Sequence, residues 1–178
     1  YRSSRGLGDV YKRQILPNLL AAADRNLNHS VGDIALFEVG PQYADDSPEG
    51  QATVAASLRV GDTGPRDWSA SSRPADAFDA KADALALLDA MGAPIGNLQV
   101  SMDAPDWYHP GRSGSLRLGP NVIAWFGEIH PAVLADLDIK AGAVGCEVFL
   151  DRVPLPKAKR GGHGLSLIHI SEPTRRPI

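Results

Sequence analysis

The stretch SLRLGPNVIAWFGEI, residues 115–129, decides the fold class. Ser115–Leu118 and Val122–Ile129 are two runs of strand-forming residues, and Gly119-Pro120-Asn121 separates them. Gly and Pro break regular structure and Asn tolerates turn geometry, so the stretch predicts a β-hairpin with antiparallel strands. Working outward, Pro131 suits the first position of a short helix over 131–137, because a first-turn N–H has no helical partner to lose. Gly142 to Gly145 then turn the chain into a last strand, CEVFL (146–150). On the other side, LQVSM (98–102) reads as a short strand.

Further upstream, Asp76 is placed to cap a helix running to Met91, with Phe78, Ala82, Leu85, Leu88 and Met91 as its apolar face. Gly92 ends it and Pro94 prevents a restart. Leu16, Leu19, Leu20, Ala23 and Leu27 recur at helical spacing over 16–28, with Pro17 tolerable in the first turn. IALFEV (34–39) reads as a buried strand stopped by Gly40 and Pro41, the stretch 43–50 as a polar turn, and TVAASLRV (53–60) as its antiparallel partner. Residues 61–76 are loop-like. Hairpins mixed with helices imply an α+β domain on a mostly antiparallel sheet.

The chain has 178 residues, enough for one domain with a core. No apolar run approaches the roughly 20 residues that span a bilayer. One cysteine, Cys146, excludes an internal disulfide and a Cys-based metal cage, and fits a reducing, cytoplasmic setting. The net charge of −3 is uneven: residues 1–14 carry +3 and residues 165–178 carry +1, which leaves −7 for 15–164. An acidic middle opposes the alternative of a stand-alone tRNA- or RNA-binding module, since phosphate binding needs clustered Lys and Arg. Lys157, Lys159 and Arg160 lie among prolines and glycines over 153–164, the composition of a linker.

The two ends, YRSSRGLGDVYKRQ (1–14) and LSLIHISEPTRRPI (165–178), resemble translated sequencing-adapter read-through and are set aside from the fold. The GLGD string in the first has Tyr11 where a dinucleotide fingerprint needs Gly. HPGRSGS (109–115) invites a hydrolase reading at Ser113, but a nucleophile elbow needs Gly on both sides and position 115 is Ser. The alternative is a fixed turn entering a strand, with Arg112 forking onto a carboxylate or carbonyl. His29, His109 and His130 lack the close spacing of a metal site, and His130 before Pro131 reads as a helix cap. Trp107, Tyr108, Trp125 and Phe126 read as core or interface rather than as base-stacking platforms.

Five segments taken in order resemble the β subunit of bacterial phenylalanyl-tRNA synthetase: ILPNLLAAADRNLNHSVGDIALFEVG (15–40), FDAKADALALLDAMG (78–92), WYHPGRSGSL (107–116), FGEIHPAVLADLDIKAG (126–142) and EVFLD (147–151). The resemblance implies a class II synthetase-like core over 15–152 that has lost its active site, cut from a longer subunit. It implies a scaffold within an (αβ)₂ heterotetramer, in which the α subunit holds ATP and Mg²⁺ and attaches phenylalanine to its tRNA. Other domains of the complex would contact the tRNA, and no cofactor, metal or catalytic residue is expected here. Class II chemistry needs an Arg for the ATP α-phosphate just after a strand like LFEVG, and this chain continues Gly40-Pro41-Gln42-Tyr43-Ala44-Asp45-Asp46. It also needs a glycine-rich strand leading to a second Arg. Here that segment is Cys146-Glu147-Val148-Phe149-Leu150-Asp151-Arg152, with Arg152 expected to pair with Asp151 at the surface. The residues expected to carry structure or subunit contact are His109, Pro110, Gly111, Arg112 and Ser113, with Gly127, Glu128, His130 and Pro131.

Overall fold

A computed structural model describes residues 15–43, 50–64 and 72–154. The readings made for 1–14, 44–49, 65–71 and 155–178, including both terminal strings and most of the linker, fall outside the described residues. In chain order the elements are α1 (Leu16–Asn28), β1 (Ile34–Tyr43), β2 (Gln51–Val60), α2 (Ala77–Ala90), β3 (Gln99–Ser101), β4 (Tyr108–Leu118), β5 (Asn121–Ile129), α3 (Pro131–Asp136) and β6 (Ala143–Phe149). Single 3₁₀ turns lie at Ile95–Asn97 and Leu150–Arg152. The strands form one six-stranded sheet in the order β1-β2-β6-β5-β4-β3, and every pairing is antiparallel. The fold is therefore the α+β arrangement on an antiparallel sheet that the hairpins imply. No described helix is long and apolar enough to cross a membrane.

The expected hairpin is β4–β5. Its loop is Gly119-Pro120 between the paired Leu118 and Asn121, and Gly119 supplies the φ of +60° that a two-residue hairpin turn needs. β1 and β2 pair from Ile34↔Val60 to Tyr43↔Gln51, so β1 does not stop at Gly40 and Pro41. The reason is position: β1 is an edge strand, where the missing N–H of Pro41 is tolerated. β6 begins at Ala143 rather than after a Gly142–Gly145 turn. Gly145 sits within it because a Cβ there would lie 2.6 Å from the Ser57 carbonyl oxygen and 3.5 Å from the Leu16 side chain. This bare patch seats the first turn of α1 against the sheet.

β6 is buried along its whole length and divides two cores. On one face α1 contributes Leu16, Leu19, Leu20 and Ala23, packed with Val54, Leu58, Trp107, Tyr108, Ile129 and Phe149. On the other, Ala80, Ala84 and Leu88 of α2 meet Leu116, Ile123, Phe126, Cys146 and Val148. Val153, placed by composition in the linker, is buried with this second group. Each large side chain buried in this way contributes about 1.5–3 kcal/mol.

The buried stripe of α2 differs from the expected one. Phe78 is 76% exposed and Ala82 is exposed, while Ala80, Ala84 and Leu88 point inward. Two polar contacts fix this roll. Asp76 and Asp79 form a reciprocal capping box, with Arg73 forked onto Asp79 at 2.7 Å through both nitrogens. Arg59 of β2 forks onto Asp83, also at 2.7 Å through both nitrogens. Small residues on the inward stripe let the helix lie close to the sheet. The helix ends as expected, with Gly92 at φ +77°.

Gly145→Ala should destabilise the chain by about 1–3 kcal/mol, the usual cost of overpacking, and Asp76→Ala by about 1 kcal/mol through the lost cap. Urea midpoints read both. A Gly145→Ala midpoint equal to the parent's would mean that α1 does not need the bare patch.

Candidate functional site

The residues singled out in the sequence gather where β4 meets β5 and α3. Tyr108 pairs with Ile129 and Ser113 with Gly127, so β4 uses more residues than β5 over this interval and His109 to Arg112 bulge outward. The stretch is thus part of a bulged strand rather than a turn before one. Within the bulge the Gly111 N–H donates to His109 Nδ1 at 3.1 Å, and the Ser113 hydroxyl donates to the His109 carbonyl at 2.6 Å. Arg112 reaches Glu128 on β5 at 3.1 Å. Gly127 has φ +149°, and a Cβ there would fall 2.4 Å from Ser113 Cβ, so only glycine lets the strands close beneath the bulge. His130 caps α3 through Nδ1, which accepts the Ala132 N–H, with Pro131 in the first turn. The His109 and His130 rings lie 6.4 Å apart.

This arrangement can hold shape and offer contacts, but it lacks the parts of a hydrolase. Ser113 donates to a carbonyl and the His109 Nδ1 is committed to a backbone N–H, so the two side chains form no nucleophile–base couple. His29 lies at the end of α1, and among the described residues no three His, Cys, Asp or Glu side chains converge on a metal position. Pro110, Gly111 and Arg112 are exposed while Ser113 and Gly127 are buried, so the bulge shows a solvent-facing tip on an anchored base.

Four aromatics form a connected layer at the heart of the sheet. Trp107 meets Trp125 edge-on at 5.7 Å, and Trp125 meets Phe149 edge-on at 4.7 Å. Tyr108 lies beside Trp107 at 6.4 Å. Under this layer lies a residue that sequence reasoning passed over, Glu147, fully buried on the central strand. Trp107 Nε1 and the Tyr108 hydroxyl both donate to its Oε2, at 3.2 and 3.1 Å. Burial pushes its carboxyl up to about 7, with the Trp107 and Tyr108 hydrogen bonds pulling the other way. A Glu between Cys146 and Val148 in an otherwise apolar run was the available signal. The buried Cys146 thiol, 3.1 Å from the Ser57 hydroxyl, is pushed up to about 11, which makes it an inert core group.

Comparison with known proteins places this geometry. The model of the family described as the phenylalanyl-tRNA synthetase β chain CLM domain matches residues 8–150. The chain belongs to that family. It is 56% identical over 151 residues to the phenylalanine–tRNA ligase β subunit of Rhodospirillum rubrum, covering 85% of this chain and 19% of that protein. To the corresponding subunit of Paramagnetospirillum magneticum it is 49% identical over 151 residues, with the same coverage. The chain therefore spans about a fifth of the length of these curated relatives. In fold it resembles the pyrrolysyl-tRNA synthetase of Desulfitobacterium hafniense, with a TM-score of 0.58 and 16% identity over 79% of this chain and 47% of that one.

For a member of this family the question is whether the residues present fit ATP and Mg²⁺. They do not. The position after the β1 glycine holds Pro41, then Gln42, which is 5% exposed with its Oε1 unpartnered among the described residues, and then Tyr43. Asp45 and Asp46 fall outside the described residues. From Cys146 to Phe149 packed side chains cover both faces of β6, and Leu16 of α1 lies over Gly145, so the strand offers a nucleotide no open backbone. Arg152 does not pair with Asp151 as expected. It stacks on Phe149 at 4.1 Å and donates to the Val122 carbonyl, while Asp151 accepts the Thr53 N–H. The guanidinium is thus held by the chain's own ring.

Gly127→Ala should cost more stability than any single change at the bulge tip, about 2 kcal/mol or above, because backbone must move. Ser113→Ala should cost about 1 kcal/mol, and Arg112→Ala less than 1 kcal/mol, since its side chain is 57% exposed. Thermal and urea unfolding of the three variants check this ranking. A destabilising Arg112→Ala paired with a neutral Gly127→Ala would reverse it.

Proposed function

We propose that this chain is a structural and assembly domain of a phenylalanine–tRNA ligase β subunit, supporting ATP-dependent attachment of phenylalanine to its tRNA without performing the chemistry. One observation carries the reading: the positions where class II chemistry needs arginine and open glycine backbone hold buried Gln42 and the packed strand Cys146–Phe149. The α subunit then holds ATP and Mg²⁺, the complete enzyme is an (αβ)₂ heterotetramer in the cytoplasm, and tRNA is met by other domains.

The exposed surface supports a contact role. On β1, Phe37, Val39 and Tyr43 are 81%, 55% and 45% exposed along one face of an edge strand. Toward the opposite edge of the same sheet, Phe78, Val100 and Met102 are also exposed. With Lys81, Arg112 and Phe126 these three line a groove of about 400 Å³ beside the bulge. Clustered exposed apolar groups with a rim of charge are the surface of a partner-binding site. His109, Pro110, Gly111, Arg112 and Ser113, with Gly127, Glu128, His130 and Pro131, form the frame that presents this rim.

The test is co-purification of the β subunit carrying this domain with a bacterial phenylalanyl-tRNA synthetase α subunit, with complex mass read by light scattering. Arg112→Ala should lower the assembled fraction, and amino-acid-dependent pyrophosphate exchange should fall only in proportion. Full assembly with lost exchange would contradict the reading.

A further inference from the structure

We propose that Glu147 is held in the folded domain as a neutral carboxylic acid, and that it latches the Trp107–Tyr108 end of β4 to the centre of the sheet in a proton-dependent way. The geometry is asymmetric. Both donors, Trp107 Nε1 at 3.2 Å and the Tyr108 hydroxyl at 3.1 Å, fall on Oε2, while Oε1 is buried with no partner among the described residues. A carboxylate shares its charge between two equivalent oxygens and would leave one of them bare in an apolar core, an expensive state. A neutral acid presents its carbonyl oxygen, Oε2, to both donors and leaves at Oε1 only an uncharged O–H, which costs less to bury than a bare charge.

Among the described residues no cation compensates Glu147. Across the sheet Glu147 faces Trp125 on one side and Ala56 on the other, with Glu38 beyond Ala56 in the same row. Tyr108 from β4 is the titratable group in direct contact, and its proton is retained because burial and Glu147 push it well above its usual value. The other charged groups on the packed elements are engaged elsewhere or turned outward. Asp24 of α1 accepts from Asn28 and Arg25 is exposed. Arg59 of β2 is forked onto Asp83 on the opposite face. Arg112 of β4 and Glu128 of β5 pair with each other at the bulge, Arg117 of β4 pairs with Asp103, and Asp136 of α3 is exposed. Asp151 takes the Thr53 N–H and Arg152 lies on Phe149.

What the latch holds is the start of the bulged strand. The Trp107 carbonyl accepts the His130 N–H at 2.8 Å, so Trp107 ties Glu147 through its ring and the α3 cap through its backbone. Ionising Glu147 places a charge in this buried site, a cost that outweighs the stronger hydrogen bonds from Trp107 and Tyr108 and favours release of the segment that leads into His109–Arg112. The sign follows from a carboxyl raised from 4.5 to about 7. Between those values the folded form keeps a proton that the open form has lost, so closure weakens as pH rises and levels off above about 7. The closed-to-open ratio should fall by about tenfold per pH unit across that window, roughly 300-fold in all.

The experiment uses the full 178-residue chain with carbon-13-labelled glutamate carboxyls, titrated by NMR, together with the exchange protection of the His130 amide at pH 5, 6, 7 and 8. One glutamate carboxyl should titrate near 7 and vanish in Glu147→Gln. His130 protection should fall with pH in the parent and stay level in Glu147→Gln. Should that variant not fold, Tyr108→Phe serves instead: it removes one donor to Oε2 and should move the midpoint upward. The proposal is overturned if every glutamate carboxyl of the folded chain titrates in the ordinary range. It is also overturned if His130 protection falls equally in parent and Glu147→Gln, or if Tyr108→Phe leaves the midpoint in place.

Discussion

The contact between Gly127 and Ser113 is the constraint on which the rest of the site depends. With 2.4 Å between Ser113 Cβ and the place where a Cβ would stand on Gly127, these strands close only because one residue has no side chain. Closure there forces the surplus residues of β4 outward as the His109–Arg112 bulge and brings Arg112 over Glu128. It also sets the entry of β4, so that Trp107 and Tyr108 turn inward to Glu147 while the Trp107 carbonyl meets the His130 N–H. A single glycine thus joins the exposed tip, the α3 cap and the aromatic layer into one unit.

Much of this was legible in the sequence where local chemistry decides the outcome. The Gly119-Pro120 hairpin, the Asp76 cap, the Gly92 stop and the His130-Pro131 helix start each depend on residues a few positions apart, and each is found as read. The misreadings share a different cause. Pro41 reads as a strand stop until β1 is known to lie at the sheet edge. The roll of α2 is set by the Arg59–Asp83 fork and the Arg73–Asp79 contact, and the first of these spans elements that no periodicity reveals. Gly145 reads as a turn until the Ser57 carbonyl is placed beside it. Arg152 finds an aromatic face rather than its neighbouring carboxylate. Glu147 escaped because its donors, Trp107 and Tyr108, are distant in sequence.

The centre of this sheet is filled by its own side chains. Here Trp107, Trp125 and Phe149 interlock edge-on above β6, and Arg152 closes the end of the layer. Such aromatic pairs add about 0.5–1.5 kcal/mol each beyond their buried area. The same packing that stabilises the domain removes the open backbone on which adenylate chemistry depends.

The most direct measurement of this account is amino-acid-dependent ATP–pyrophosphate exchange by the isolated chain, set beside the same assay after adding the α subunit and the remainder of the β subunit. The account predicts no exchange above background from the chain alone and phenylalanine-dependent exchange from the reconstituted complex. Phenylalanine-dependent exchange by the isolated chain would contradict it, and would mean that the packed centre of this sheet opens to a nucleotide.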